Sequence, residues 1–109
     1  MPETSRREKI EAMLADDPND SFLRYSLAME LEKEDRHEES LKYFQGLMQE
    51  DPPYVPSFLM AGQQLARLER IDEAREILRS GIEVARVQGD SHAAGEMGEL
   101  LADLGNLPE

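Results

Sequence analysis

QEDPPYVPSF, residues 49–58, places three prolines in five positions at the middle of a chain otherwise rich in helix formers. Such a stretch is either a linker between two small domains or a joint inside one, and the choice fixes the fold. A proline disfavours helical conformation in the residue before it, so Glu50-Asp51-Pro52 ends a helix, as Asp16-Asp17-Pro18 does earlier. Pro56 falls where a new helix would start, and in a first turn its missing N–H costs nothing.

Outward from this joint the apolar spacing is helical. Ile10, Met13 and Leu14 form one stripe, Leu23, Leu27 and Leu31 another, and Leu41, Phe44 and Met48 a third. Leu59, Leu65 and Leu68 follow, then Ile71, Ile77, Leu78 and Ile82, then Met97, Leu100, Leu101 and Leu104. Each set recurs at three- or four-residue intervals, and no segment alternates as a strand would. The pattern predicts an all-α chain of about six helices over 4–15, 20–34, 37–50, 54–68, 71–88 and 90–105. Short connections make sequential helices antiparallel. Asn19 or Asp20 can cap the second helix, and Asp72 sits at the start of the fifth.

At 109 residues the chain suits one domain. Hydrophobic residues make up 39% and charged residues 33%, enough for a core. No apolar run approaches the roughly 20 residues of a membrane span. MPETSRREKI has no apolar signal core before Ile10, so no secretory signal is expected, and the absence of cysteine is compatible with a reducing cytoplasm. The net charge of −12 repels nucleic acid and anionic membranes. The acids concentrate in ELEKEDRHEE (30–39) and in the segment from Val87 onward, which has no Lys or Arg. They read as a solvated surface or, more sharply, as a dock for a basic partner.

A slide of 34 residues decides between linker and joint. Pro18 falls on Pro52, each preceded by Asp; Tyr25 falls on Leu59, Ala28 on Gly62 and Leu31 on Leu65. Arg36 meets Arg70, Glu39 meets Glu73, Ser40 meets Ala74 and Phe44 meets Leu78. Unrelated domains would not match in this way. A 34-residue unit of two helices, with Leu27, Ala28, Leu31, Ser40, Phe44 and Pro52 in the first and Phe58, Ala61, Gly62, Leu65, Ala74 and Leu78 in the second, resembles the tetratricopeptide repeat. Arg24 stands where that pattern has a large aromatic, and Arg86 where it closes on proline. The small residues Ala28, Gly62, Ser40 and Ala74 allow close approach of paired helices. LARLE (65–69) returns as LADLG (101–105) at an offset of 36, so the last helix reads as the start of a further repeat.

The resemblance implies a right-handed superhelical stack, an α-solenoid, of the small bacterial type. It would be one domain: an N-terminal half-repeat (4–18), full repeats (21–54 and 55–88) and a C-terminal capping helix (89–105). It implies a non-catalytic protein–protein interaction module that binds a peptide or partner helix in a concave groove. Mapped residue by residue, the groove candidates are Phe22, Tyr25, Met29 and Lys33, then Pro56, Leu59, Gln63 and Arg67. His92, Gly95 and Glu99 of the last helix would face the same way. The alternative for Phe22 and Tyr25 is burial under a terminal helix. The groove-facing residues do not offer the Lys, Asn and Arg set of the chaperone-type carboxylate clamp. The methionines read as core filler, with a pliable binding surface as the alternative for Met29 and Met60.

No catalytic or cofactor set emerges. His37 and His92 lie far apart without cysteine, which makes no zinc motif, and Gly95 and Gly98 lack the context of a phosphate loop. Glu38-Glu39 and Asp72-Glu73 suit the helix dipole at first turns. Two other readings stand beside the interaction module: self-association into a homodimer or larger oligomer through open repeat ends, and, remotely, an enzyme or metal protein.

Overall fold

Each helix begins and ends for a local reason. The computed structural model describes residues 5–105. They form α1 (Arg6–Asp16), α2 (Ser21–Lys33), α3 (His37–Met48), α4 (Val55–Arg67), α5 (Ile71–Val87) and α6 (Ser91–Leu104), and contain no strand. Ser5 and Glu8 close a capping box on α1: the Glu8 N–H donates to Ser5 Oγ (3.1 Å) and the Ser5 N–H to Glu8 Oε1 (3.2 Å). The Ser5 N–H donating to it, with the Ser5 side chain beside it, holds the Glu8 carboxyl below its usual range. Asp20 caps α2 through the Leu23 N–H (2.8 Å), and Asp90 caps α6 through the Ala93 N–H (3.0 Å). α3 and α5 have no side-chain cap; Glu38, Glu39, Asp72 and Glu73 in their first turns complement the dipole instead.

The C-termini repeat a motif. Asp35 and Glu69, 34 residues apart, both adopt left-handed backbone (φ 61° and 62°) just past α2 and α4. The next N–H reaches back in each case, Arg36 to the Leu31 carbonyl (2.9 Å) and Arg70 to the Leu65 carbonyl (2.9 Å). This is the Schellman arrangement, which satisfies carbonyls that a helix end would otherwise orphan. Gly89 (φ 75°) does the same after α5. Arg36 and Arg70 then turn onto Glu39 and Glu73, each at 2.7 Å, and Arg70 also reaches Glu38 of α3 at 2.6 Å.

The helices pack in sequence, with α4 also touching α6, into a stack of helix pairs measuring 49 × 29 × 19 Å. Its radius of gyration, 14.7 Å, exceeds the roughly 13 Å of an equant domain of this length. One core runs from α2 to α6 through Phe44, Phe58, Leu65, Leu78 and Met97, continuous across the proline joint. Full burial of each such side chain contributes about 1.5–3 kcal/mol. Ile10 and Leu14 of α1 form a smaller cluster with Leu27 and Leu31. The joint itself is pinned by the Tyr54 N–H donating to the Leu47 carbonyl (3.0 Å), and its Asp51–Pro52 bond is cis.

Close approach sets the spacing between helices. A Cβ on Gly62 would stand 2.6 Å from Leu78 Cδ2 and 2.8 Å from its Cγ; one on Gly81 would stand 2.5 Å from Met97 Sδ and 2.6 Å from Phe58 Cβ. Leu78 and Met97 are fully buried and have nowhere to go. At Gly95 and Gly98 an added Cβ meets nothing within 4 Å. Gly62→Ala and Gly81→Ala should therefore each destabilise by about 1–3 kcal/mol, with Gly81 the worse because Phe58 Cβ moves only with its backbone. Gly95→Ala and Gly98→Ala should stabilise by about 0.5–1 kcal/mol through helix propensity. Thermal unfolding of the four variants checks the order; equal effects at Gly62 and Gly95 would refute it. Glu69→Gly should raise the melting temperature by about 3–6 °C by relieving left-handed backbone in a side-chain-bearing residue. A drop would show that its turn is not strained.

Candidate partner-binding groove

α2 and α4, the first helices of successive pairs, lie side by side and leave a cavity of about 280 Å³ between them. Met29 and Met60, both half-buried, and the edge of Phe44 from α3 form its apolar part. Lys33, Glu32 and Arg67 form its charged part. Arg67 Nη2 meets Glu32 Oε1 at 3.1 Å, tying α4 to α2 across the opening, and Lys33 Nζ meets Glu30 at 2.9 Å. Both cations are thus already engaged by carboxylates. Such exposed pairs contribute about 0–1 kcal/mol each, so they orient the rim more than they hold the fold.

Below this cavity a buried polar network fixes the two pairs in register. Gln64, fully buried, donates from Nε2 to the His37 carbonyl (3.3 Å). Ser40, also fully buried, donates from Oγ to the Ala28 carbonyl (2.6 Å), with Gln64 Oε1 3.2 Å away. Removal of one partner would leave a buried polar atom unsatisfied, which costs about 1–3 kcal/mol. His37 itself is half-buried rather than fully solvated. Its Nδ1 is buried without a hydrogen-bond partner, and its Nε2 is 3.7 Å from Asp35.

Of the eight residues that the sequence nominates, this cavity gathers Met29, Lys33 and Arg67. Tyr25 is half-buried, its ring edge-on to Phe44 (5.9 Å) and tilted against Tyr54 (5.5 Å); burial, with Tyr54 beside it, pushes its hydroxyl pKa up. Leu59 packs partly into the core, and Gln63, about one helical turn further on, is half-buried. Phe22 is 65% exposed and borders a different cleft, with Ile10 and Met13 of α1. Pro56 is exposed at a third cleft, beside the proline joint. His92, Gly95 and Glu99 are exposed on α6, and His92 pairs with Glu96 (2.9 Å). Glu32, Phe44, Met60 and Gln64 join the cavity without having been placed there by the groove mapping. Met60 alone carried a hint, as a candidate pliable methionine.

Among the described residues no group of three His, Cys, Asp or Glu side chains could hold a metal ion, and no helix is long and apolar enough to cross a membrane.

No protein-family model matches the sequence, and no curated protein matches it. Solved structures do. The solution NMR structure of a tetratricopeptide repeat domain protein from Salinibacter ruber is 35% identical, with a TM-score of 0.78, over 84% of this chain and 93% of that one. A crystal structure of a tetratricopeptide repeat domain protein from the same organism gives 35% identity and a TM-score of 0.72 over 82% of this chain and 100% of that one. A Bordetella parapertussis protein, at 24% identity and a TM-score of 0.80 over 94% of this chain and 90% of that one, shares the fold. With its stacked helix pairs, its 34-residue internal correspondence and relatives of this identity, the chain belongs to the tetratricopeptide repeat family.

Proposed function

We propose that this chain is a non-catalytic interaction module that takes an extended peptide or a partner helix into the groove between α2 and α4. The fold is that of a protein-interaction module in general. The observation that carries the finer reading is the 280 Å³ cavity with its paired methionines. Two unbranched thioether side chains adapt to a partner's shape, and a half-buried apolar floor gains from being covered. Tyr25 continues the Met29 stripe of α2, Leu59 and Gln63 form the stripe beside Met60 on α4, and Phe22 and Pro56 stand at the N-terminal ends. Lys33 and Arg67 are neutralised by glutamates, which supports an apolar anchor over a chaperone-type terminal carboxylate. The reading takes 21–54 and 55–88 as two full repeats of one domain, flanked by half-units, acting in the cytoplasm without a cofactor.

The partner captured from native cytoplasm should be lost with the double substitution Met29→Ala/Met60→Ala, at least about tenfold in dissociation constant, or about 1.4 kcal/mol. Circular dichroism confirms that the variant is folded. Glu76→Gln on the exposed side of α5 serves as the neutral control. Undiminished binding by the folded double variant would exclude this groove.

Self-association has one observation in its favour. Met13 (49%) and Phe22 (65%) are exposed at the α1 end, and the cleft they border is lined by Arg6 and Lys9. The opposite end, α6, carries Glu96, Glu99 and Asp103 and no cation. α1 as a whole balances three bases against three acids, so a head-to-tail contact between copies would rest on this exposed apolar pair, with Lys9 of its cleft turned toward the acids of α6. Sedimentation should then show mass rising with concentration and falling with Phe22→Ser; a strict monomer at about millimolar concentration, some 4 kcal/mol of association at most, removes this reading.

A further inference from the structure

α5 breaks the internal correspondence. α3 stops at Met48, whose 34-residue equivalent is Ile82, yet α5 continues to Val87. The added turn carries Glu83, Val84 and Val87 alongside Asp51, Pro52 and Pro53 of the joint, and a cleft of about 340 Å³ lies between them. Gln88 Nε2 donates to the Pro53 carbonyl (2.9 Å), so the loop wall is fastened to the helix wall. Val87 is 80% exposed there, the largest exposure among the large hydrophobic side chains described. On the other side of the same prolines a second cleft, about 580 Å³, shares Asp51, Pro52, Pro53 and Gln88 and adds Glu50 and Asp90.

The charge around the two clefts is one-sided. Four carboxylates line them, and no lining residue is Lys or Arg. Glu50 is bonded to Arg24, Asp90 caps α6, and Glu83 is 3.9 Å from Arg86. Asp51 has no ion pair among the described residues and is exposed.

We infer that the Pro52–Pro53 saddle is a second docking surface, apart from the groove, for a basic segment of a partner polypeptide. A small aliphatic side chain enters between Pro52, Pro53, Val84 and Val87, and a flanking Lys or Arg pairs with Asp51. The cleft's volume is at the lower end of ligand pockets, which suits one or two side chains better than a helix. An acidic segment or a nucleic acid would meet the unpaired Asp51 and find no cation in the lining, and a second copy of this chain brings its own net charge of −12.

The test is an NMR titration of the full chain, with methyl signals of Val84 and Val87 as reporters. The probe is the synthetic peptide acetyl-Lys-Leu-Val-Lys-amide, and the control is acetyl-Glu-Leu-Val-Glu-amide. Saturable shifts at both valines are expected with the lysine peptide, about fivefold weaker or absent with the glutamate peptide. Asp51→Asn should weaken binding about threefold and Val87→Ser about fivefold, both at exposed positions where the fold is not at stake. Raising salt from about 20 to 300 mM should weaken it further. Equal binding of the two peptides, no shift at either valine, or shifts centred on residues 30–39 would overturn the inference. Shifts at Val84 and Val87 that track protein concentration without peptide would overturn it in favour of a second copy.

Discussion

The stack rests on letting paired helices touch where a side chain would keep them apart. In the pair formed by α4 and α5, Gly62 admits the fully buried Leu78 and Gly81 admits Phe58 and Met97. In the pair formed by α2 and α3, Ala28 stands where Gly62 does and Ser40 where Ala74 does, both fully buried, and the contact is polar: Ser40 bonds the Ala28 carbonyl. The same spacing is therefore met once by shape and once by a hydrogen bond. The polar solution brings an obligation, because the Ser40 hydroxyl has one proton and two oxygens beside it. Gln64 of α4 joins at that point and couples the first pair to the second.

The departure from the family's aromatic position is compensated in the same local way. Phe58 sits 34 residues after Arg24, and Gly81 sits 34 residues after Leu47. Where the first helix of the pair carries the ring, the second gives way to glycine; where it carries arginine, the fully buried Leu47 fills the core. The Arg24 guanidinium leaves the core for Glu50, passing over Gly46, where a Cβ would stand 3.1 Å from Nη2. An arginine can do this because its stem packs as a hydrocarbon while its head stays wet. Each substitution is thus answered by its neighbours across the helix pair, and α2 and α4 keep a common alignment despite different residues at the contact.

How far the sequence could be read follows from which forces are local. The helix bounds were legible to within two residues, for example 37–50 against His37–Met48, because prolines and apolar spacing act within a turn or two. Asp20 as a cap was legible for the same reason. The left-handed Asp35 and Glu69 were not: no glycine marks them, and their backbone is held by bonds from Arg36 and Arg70. Gly81 was silent because its counterpart is a leucine. Of the seven residues that line the candidate groove, three were legible: Met29, Lys33 and Arg67. Mapping placed its residues on one face of α4, Leu59, Gln63 and Arg67, but the cavity opens between helices and recruits the adjacent stripe, Met60 and Gln64. Side-chain spacing on one helix gives a face; where two faces meet depends on a crossing that no single helix encodes.

The groove and the proline saddle differ in origin, and the difference bears on selectivity. The groove arises from the period itself: its cations are matched by Glu30 and Glu32, so its charge is internally cancelled and its methionines adapt. A partner taken there would be chosen by shape. The saddle arises where the period fails, at the extra turn of α5 that α3 lacks. Its carboxylates gather around apolar walls, and Asp51 stays unpaired among the described residues. A partner taken there would be chosen by charge first and fit second. Two such selection rules on one short stack would let a single polypeptide satisfy both at once, and simultaneous engagement would multiply affinity without any new contact.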